Sequence, residues 1–583
     1  MRKTLSAILS VIMILSVLSG GLVSVSAADG TAVSTAEEFA NMKPDGKYYL
    51  AADITLTASF GEFSGTFDGN GKTVTTSVPV FAKVTGTVKN LTVAGEINGT
   101  DTVAALAVEA DGATIEKVTN KANVNTSKGH AAGIVALLNG NASTVAGCTN
   151  KGKITNSSST IHDSVAGIVC KIYAASSVVD GCVNEGDVTV AKTADGGNGN
   201  AAAGIVARTD FNNNAINITI KNCTNKGKIY GHHWTGGICG LIDLTTTITG
   251  CVNYGDIESR NSIAGGIAGR LSSGEKVASP ENIVFTLKNC TNYGSVIGRD
   301  DETGGIVGWV KRVIYIEYCF NYGNISSPNK GAAGVVGHIG ADSRAPADNH
   351  KVSSVKYCGN EGTITGTSGN IGGVVGYVAA KNDENDKIYA DISYCYNFGE
   401  VNSTKKANAS GILGYTKSQY LQISNCLSGG KAATGEGGKT FAVYVNKFKP
   451  VDGSIKNNTI VEGVAEFVSS EDTAVTDITD TVAAAAVGSG ELAYNLNKVF
   501  GKNFFRQTLG TDAHPTTKSG SKVVDLVDGK YVNTTATPDK PTPADPNPPT
   551  GDSALYIAVA ALAAVSVLGV ALIPASTTLP VDR

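Results

Sequence analysis

Asn289-Cys290-Thr291-Asn292-Tyr293-Gly294-Ser295-Val296, followed by Gly304-Gly305-Ile306-Val307-Gly308, is one copy of a two-part unit that recurs along the chain. Each copy opens with cysteine and carries asparagine two residues later (Ser428 in the last copy), glycine four residues later and, in most copies, a β-branched residue six residues later. Fixed positions two apart have the period of a β-strand, so these residues share one face. The cysteines that open the copies are Cys148, Cys182, Cys223, Cys251, Cys290, Cys319, Cys358, Cys395 and Cys426.

The second part of the unit is a short apolar run that begins with glycine, as in Gly305-Ile306-Val307. Such a run predicts a buried strand. A third apolar strand often leads into the next cysteine, as in Ile216-Asn217-Ile218-Thr219-Ile220. A repeat this short cannot bury its apolar face alone and must stack on its neighbours. The sequence therefore predicts an all-β fold: a right-handed parallel β-helix (β-solenoid) of roughly 12 coils with small helical caps, about 50–60 Å long.

The Gly-Ile-Val-Gly element with its Asn-Cys-Thr-Asn-x-Gly lead resembles the GLUG-type repeats of bacterial surface proteins. The likeness covers the chain from about residue 50 to about residue 450. It implies a parallel β-helix of the kind associated with adhesins and cell-wall proteins of Gram-positive gut bacteria.

The composition limits the class of protein. Only 17% of the 583 residues are charged, whereas 70 are glycine. The formal net charge of −4 gives no basic surface for nucleic acid, which we exclude as a partner. Few charges suit a stacked β-rod, because like charges directly opposite one another on neighbouring strands are destabilising.

Nine of the 11 cysteines hold the same repeat position. Stacked strands would place them at the strand spacing, which is wider than the ~3.8 Å that a disulfide favours between Cβ atoms. We therefore predict buried free thiols. Disulfides are the alternative, since exported proteins with many cysteines commonly form them. Zinc is disfavoured, because the chain has no Cys-x-x-Cys pair.

The N-terminus has the pattern of a secretory signal peptide. Arg2 and Lys3 precede an apolar run, and a small-residue cleavage site ends at Ala27, before Ala28. An uncleaved anchor helix is the alternative. Next comes Ser34-Thr35-Ala36-Glu37, a capping-box pattern that predicts a short helix through Phe39 and Met42 over the first coil.

The chain divides into six predicted segments. An amphipathic helix from Ser489 to Gly501 is predicted in the C-terminal cap, with Leu492, Leu496 and Val499 on one face. The segments are a signal peptide (1–27), an N-terminal cap and entry coil (28–75), the repeat β-helix (76–450), the last coils and C-terminal cap (451–535), a Pro/Thr-rich spacer with a sorting motif (536–552), and a hydrophobic anchor and tail (553–583).

The sorting motif is Asn547, Pro548, Pro549, Thr550 and Gly551, and the uncharged apolar run Ala554–Ile573 follows it. A helix of that length spans about 30 Å, the thickness of a bilayer core. This order resembles a sortase sorting signal of the Asn-Pro-x-Thr-Gly variety, related to Leu-Pro-x-Thr-Gly.

The resemblance implies that a membrane transpeptidase cuts between Thr550 and Gly551 and joins Thr550 to peptidoglycan. The implied partners are a sortase, peptidoglycan and, through the transient C-terminal helix, the membrane; the implied location is secreted, at the cell wall of a Gram-positive surface. The tail departs from the pattern, because its only basic residue is Arg583 where such signals usually end in a Lys/Arg cluster. A plain membrane anchor is the alternative.

Catalytic and metal-binding patterns are the next question, because β-helix folds include polysaccharide lyases and glycosidases. Glycosidases need two carboxylates across the scissile bond. The clusters Asp300-Asp301-Glu302 and Asp383/Glu384/Asp386 are interpreted as solvated loops, with calcium binding as the alternative. His232-His233-Trp234 lacks a third ligand and is interpreted as a surface turn. We predict no catalytic residues, no metal and no cofactor, hence no enzyme.

The positions one before, one after and three after the repeat cysteine are predicted to face outward, and they turn aromatic in the second half of the repeats. Strand-forming aromatics that stack between coils are one interpretation. A binding surface is the other, since contiguous exposed apolar surface usually marks one. This aromatic face comprises Tyr254, Tyr293, Tyr318, Phe320, Tyr322, Tyr357, Tyr394, Tyr396 and Phe398.

Together these features favour a cell-wall-anchored surface protein that acts as an adhesin or as a stalk binding a glycan or a host or bacterial surface ligand. A wall-attached polysaccharide-cleaving enzyme, a lyase or glycosidase, is the alternative.

Overall fold

The computed structural model describes residues 29–158, 163–190, 200–209, 217–272, 283–299, 303–340, 352–367, 370–379, 389–405, 407–418, 420–446, 454–469 and 480–534. The signal cleavage site, the spacer, the sorting motif, the apolar C-terminal run and both acidic clusters lie outside these residues. Among the described residues, no helix combines the length and the hydropathy needed to cross a membrane.

The described chain is an all-β stack of parallel strands. One coil contains Val313–Glu317, Phe320–Asn321, Ile325–Ser327, Ala332–Ala333 and Val336–Gly340, and each strand pairs in register with its counterpart in the next coil. The apolar run after the cysteine-led part is therefore two strands rather than one, bent at Gly334 and Val335. The hand of the coil path and the number of coils stay predictions.

One sheet of the described chain runs along the stack from Thr31–Val33 to Ile455–Lys456 and contains the strand that leads into each repeat cysteine. Its 15 strands are Thr31–Val33, Lys47–Leu50, Thr66–Asp68, Thr87–Lys89, Thr114–Glu116, Thr144–Ala146, Val178–Asp180, Ile218–Lys221, Thr246–Thr249, Val284–Lys288, Val313–Glu317, Ser353–Lys356, Ala390–Ser393, Leu421–Ser424 and Ile455–Lys456.

The repeat asparagines form a buried hydrogen-bond ladder. The Asn292 Nδ2 donates to Asn321 Oδ1 in the next coil at 2.7 Å and to the Gly294 carbonyl at 2.8 Å. The same pair of bonds repeats from coil to coil, so each side-chain amide is satisfied inside the core. The ladder begins at Asn120, in the coil before the first repeat cysteine. The buried Val118 occupies the cysteine position of that coil.

Two glycines of each repeat lie where no side chain fits. A Cβ at Gly294 would meet the Gly255 carbonyl oxygen of the preceding coil, and a Cβ at Gly305 would meet the Asn321 side chain. The apolar half of one unit therefore packs directly on the asparagine ladder. This contact explains why the two halves of the motif recur together.

All 11 cysteines are buried free thiols. Cys290 Sγ donates to the Lys288 carbonyl at 3.4 Å, and the other repeat cysteines make the same bond to the residue two positions earlier. Burial raises the pKa of Cys170 to about 12 and raises the pKa of Cys358 well above its usual value.

The N-terminal end of the stack is covered by a short helix, α1 (Ala36–Ala40). Its capping box is formed by Thr35 and Glu38, one residue later than the sequence pattern predicted. The Phe39 ring packs edge-on against Phe60 and Phe67, with centroids 5.9 and 5.6 Å away.

The C-terminal cap consists of helices α2 (Ala485–Ser489) and α3 (Glu491–Phe500) and an antiparallel hairpin of Val523–Val527 with Lys530–Thr534. Helix α3 buries Leu492 and Leu496 and has Gly501 as its C-cap, as predicted, but it begins at Glu491 and not at Ser489, because the left-handed Gly490 separates it from α2. Val499 does not belong to the buried face, because it is 62% exposed.

Candidate functional site

The aromatic face is built from three columns of side chains that run along the stack. The first column immediately precedes the repeat cysteine. Its Tyr318, Tyr357 and Tyr394 rings stack with centroids 4.9 and 5.1 Å apart and planes 7° and 17° from parallel. Burial raises the pKa of Tyr318 to about 12, and it raises the pKa of Tyr357 and of Tyr394 as well.

The backbone of this first column is left-handed, which tyrosine rarely adopts. The three tyrosines have φ of 54 to 56°, and the asparagines and glycines that occupy the same corner in the other repeats have φ of 54 to 64°. Asparagine and glycine take this conformation readily, whereas a bulky side chain there is strained. A residue kept in such a conformation indicates that its side chain has a specific role.

The second column directly follows the cysteine, and its aromatic residues are buried. Phe320 is 4% exposed and Tyr396 is 0% exposed, so the prediction that these two side chains face solvent is wrong. The Tyr396 ring lies over Gly359 of the preceding coil, where a Cβ would collide with the ring. Phe320 and Tyr396 belong to the same apolar core as the interior of the stack.

The third column lies three residues after the cysteine. The Tyr254 and Tyr293 rings stack at 5.1 Å and 4°, and the Tyr293 and Tyr322 rings at 5.0 Å and 11°. Glu361 follows in the next coil and Phe398 in the one after.

The C-terminal cap covers much of this face. Phe504 packs against Tyr357 and Tyr394, with ring centroids 5.1 and 4.8 Å away, and Phe500 packs edge-on against Tyr394 at 5.8 Å. Phe505 is completely buried, and Asn497 of α3 bonds both its amide and its carbonyl. The cap thus lies on the flank of the stack, against residues far from it in sequence.

Polar contacts join the cap to the same coils. Thr516 Oγ1 donates to the Tyr396 hydroxyl at 2.9 Å, and this hydroxyl donates to Glu361 Oε1 at 3.1 Å. His514 stacks on Phe398 with ring centroids 3.8 Å apart and places Nε2 3.6 Å from Glu361 Oε2. The interface between the cap and the stack therefore combines paired polar groups with apolar contact.

Coverage by the cap stops at Tyr322. Lys518 Nζ lies 4.9 Å from the Tyr322 ring centroid, in a cation–π arrangement. Beyond it, Tyr293 is 42% exposed and Tyr254 is 54% exposed. These two residues are the part of the predicted face that solvent reaches freely.

Stacking determines what the exposed pair offers to a ligand. A ring between two parallel neighbours has both faces covered, so Tyr293 presents its edge and hydroxyl rather than a flat surface. Tyr254, at the end of the stack, also has one ring face that no tyrosine covers. The pair can donate hydrogen bonds from two hydroxyls and can pack apolar groups on one ring face.

The third column is ionic in the earlier coils. Glu185 lies between Lys151 and Lys226 in this column and forms ion pairs with them at 3.3 and 3.0 Å. The two lysines lower the pKa of the Glu185 carboxyl by hydrogen bonding to it. The change from ion pairs to rings along one column lies between Lys226 and Tyr254.

A fourth aromatic column, outside the aromatic face, lies on the sheet that contains the Gly-Ile-Val run, and it was not predicted from the sequence. Trp309, His338, Tyr377 and Tyr415 occupy successive coils in register, with centroid distances of 5.0, 4.7 and 5.9 Å. Each lies four residues after the repeat glycine, so this fixed offset could have revealed the column. Arg270 lies over Trp309 at 5.6 Å.

The histidine pair of the sequence analysis is not an exposed turn. His232 and His233 are 6% and 7% exposed, and the His233 ring nitrogen lies 3.2 Å from the Asn261 amide nitrogen. Within the part of the chain that the structure describes, no group of three or more His, Cys, Asp or Glu side chains could hold a metal ion.

No protein-family model and no curated protein sequence matches the chain. A similar solved structure is described as a "putative immunoglobulin A1 protease" from Bacteroides ovatus. The two chains are 15% identical with a TM-score of 0.29, over 52% of this chain and 78% of the other. Similarity at this level carries no argument about function.

Proposed function

We propose that the protein is a secreted stalk, covalently attached to the cell wall through Thr550, that binds a surface ligand through Tyr254 and Tyr293. The order of spacer, Asn547–Gly551 motif and apolar run supports the attachment. The stack of parallel strands between Thr31 and Val482 supports the role of a stalk, because each described coil packs on its neighbour.

The ligand-binding part of this proposal depends on one observation. Tyr254 and Tyr293 are the exposed end of a column of stacked rings. At the other end of this stack, Lys518 of the C-terminal cap packs on the Tyr322 ring. Phenol hydroxyls beside a ring face that no tyrosine covers suit a sugar, which offers both hydroxyls and apolar C–H surface. The proposed ligand is therefore a glycan on another cell or on host tissue.

The attachment is tested by cell fractionation. Thr550→Ala should move the protein from the muramidase-released wall fraction to the membrane and the medium. Thr542→Ala, in the same spacer but outside the motif, should leave it in the wall. A Thr550→Ala protein that stays covalently linked to peptidoglycan would contradict the proposed attachment.

Ligand binding is tested on arrayed glycans and on intact host cells with the mature protein. The double variant Tyr254→Ser with Tyr293→Ser should keep the fold, because exposed substitutions usually change stability by about 0.5 kcal/mol or less. It should reduce binding at least tenfold. The matched variant Lys151→Ser with Lys226→Ser changes the same column and should bind normally. Binding lost in the lysine variant and kept in the tyrosine variant would contradict this site.

A further inference from the structure

We propose that the C-terminal cap is a mechanical clamp, which must detach from the flank of the stack before a pulling force on the C-terminus can reach the last coil. This inference rests on the proposed function, in which the chain is held at the cell surface through residues that follow Thr534. It assigns a mechanical function to the contacts between the cap and the aromatic face.

The path of the chain is the first argument. The last strand of the stack is Asp480–Val482, and the chain then turns back along the flank. The contacts of consecutive cap residues progress toward earlier coils: Thr516 bonds Tyr396, Thr517 Oγ1 bonds the Tyr357 carbonyl at 2.8 Å, and Lys518 covers the Tyr322 ring. The cap thus bridges the coils of Cys319, Cys358 and Cys395.

The strength of the contact is the second argument. Leu492, Leu496, Phe504 and Phe505 of the cap belong to one continuous buried core with the interior of the stack. Burial of each of these large apolar side chains stabilises the cap on the stack. The Thr516–Tyr396–Glu361 hydrogen bonds fix the position of this apolar contact. Detachment of the cap therefore breaks several of these contacts at once.

The order of loading follows from these two facts. Without the cap, a pull at Val482 would act directly on an edge strand, whose backbone bonds to Thr459–Val461 could separate one after another. With the cap, a pull at Thr534 acts first on the hairpin and then on the contacts at Phe504, Thr516 and Lys518. The last coil is loaded only after these contacts break.

The flank is specialised for the cap in its backbone as well as in its side chains. Tyr318, Tyr357 and Tyr394 occupy a left-handed corner that asparagine or glycine fills elsewhere in the repeats, including Asn289 and Asn425 on either side. Phe504 packs on two of these three rings. The three tyrosines with a left-handed backbone thus lie in the coils that the cap contacts.

Single-molecule force spectroscopy tests the clamp. The mature chain is held at its N-terminus and pulled through the C-terminal spacer. The first step should release residues 483–534, a gain of about 170–190 Å in contour length at about 3.3–3.6 Å per residue. Release of any coil should follow this step.

Two variants and one control connect that step to the interface. Phe504→Ala should make release of the cap at least tenfold faster at a given force, and Thr516→Val should speed it severalfold with little risk to folding. Val499→Ala changes an exposed residue of α3 and should leave the step unchanged. Coil release before cap release, or a first step that neither Phe504→Ala nor Thr516→Val affects, would overturn the proposal. Because this experiment uses handles instead of peptidoglycan, its outcome is independent of wall attachment.

Discussion

Thr516 donates a hydrogen bond to the hydroxyl of Tyr396, 120 residues earlier in the chain, at 2.9 Å. The Tyr396 hydroxyl in turn donates to Glu361, so one buried phenol links the C-terminal cap to two neighbouring coils. This bond explains why Tyr396 is buried although its position faces outward in the repeat. Most residues of the aromatic face form a seat for the cap, and Tyr254 and Tyr293 of this face extend beyond it.

The left-handed tyrosines provide a first prediction. Tyr357→Asn relieves backbone strain but removes stacking on Tyr318 and Tyr394 and contact with Phe504, so it should destabilise the protein to urea unfolding. In a Phe504→Ala background the loss should be smaller by about 1 kcal/mol, the coupling expected of contacting residues. As a control, Asn222→Tyr puts tyrosine at the same corner beside glycines and should cost about 1–2 kcal/mol with no compensation. Equal losses in both backgrounds would mean that the cap does not use Tyr357.

The asparagine ladder provides a second prediction. Asn292→Ala removes the donor to Asn321 Oδ1 and the acceptor of Asn253 Nδ2, both inside the core. Each buried polar group left without a partner costs about 1–3 kcal/mol, so the free energy of unfolding should fall by roughly 3 kcal/mol. Asn324→Ala removes an exposed side chain of the next coil, whose Oδ1 accepts a hydrogen bond from the Thr363 amide at 3.1 Å, and should cost less than about 1 kcal/mol. Similar urea midpoints for the two variants would contradict a structural ladder.

The thiols should remain reduced and unreactive in the folded protein. All 11 cysteines are buried, so reagents cannot reach them. Burial raises the pKa of Cys148 and Cys358. Hydrogen bonds between neighbouring repeat thiols outweigh burial and lower the pKa of Cys182, Cys290 and Cys395, so the protection comes from exclusion of the reagent. Isotope-labelled iodoacetamide followed by mass spectrometry should label almost no cysteine in buffer and all 11 in urea. Detection of disulfides between neighbouring repeat cysteines in the native protein would refute this expectation.

His130 should make the protein sensitive to acid. Burial, with added repulsion from Lys171 and Arg208, lowers its pKa from 6.5 to about 3, and its Nδ1 accepts a hydrogen bond from the Ser164 amide. The unfolded chain therefore binds a proton that the folded chain excludes. The resulting stabilisation is complete above pH 6.5 and is lost as the pH falls toward 3.

Urea unfolding at about pH 7.5 and about pH 4.5 measures this effect. The wild type should lose more stability between the two than His130→Gln does, because glutamine takes up no proton. Parallel pH profiles would show that His130 is protonated in the folded state.

The repeat positions could be predicted from the sequence because they follow one local rule. A period of two places Cys290, Asn292, Gly294 and Val296 on one face, and all four are buried. Two details of the structure depend on contacts between coils, which a two-residue period does not predict. The bend at Gly334 follows from the Asn360 side chain behind it, and the ladder begins at Asn120 without any cysteine to mark its coil.

The location of the cap could not be predicted in this way. Periodicity identifies positions that repeat, whereas the segment from Phe504 to Lys518 does not repeat and packs against coils more than 100 residues earlier. The aromatic composition of Tyr318, Tyr357 and Tyr394 was visible, but the sequence could not distinguish a seat for another part of the same chain from a surface for a ligand. Burial of Tyr396 under Thr516 distinguishes them for those coils.

The claim that the protein is a wall-attached stalk is tested most directly by mass spectrometry of its C-terminal peptide from muramidase-digested walls. The account predicts a peptide that ends at Thr550, with its carboxyl joined by an amide bond to the peptidoglycan stem peptide, and no peptide from the run Ala554–Ile573. A wall-free protein that retains Gly551 and the apolar run would contradict it.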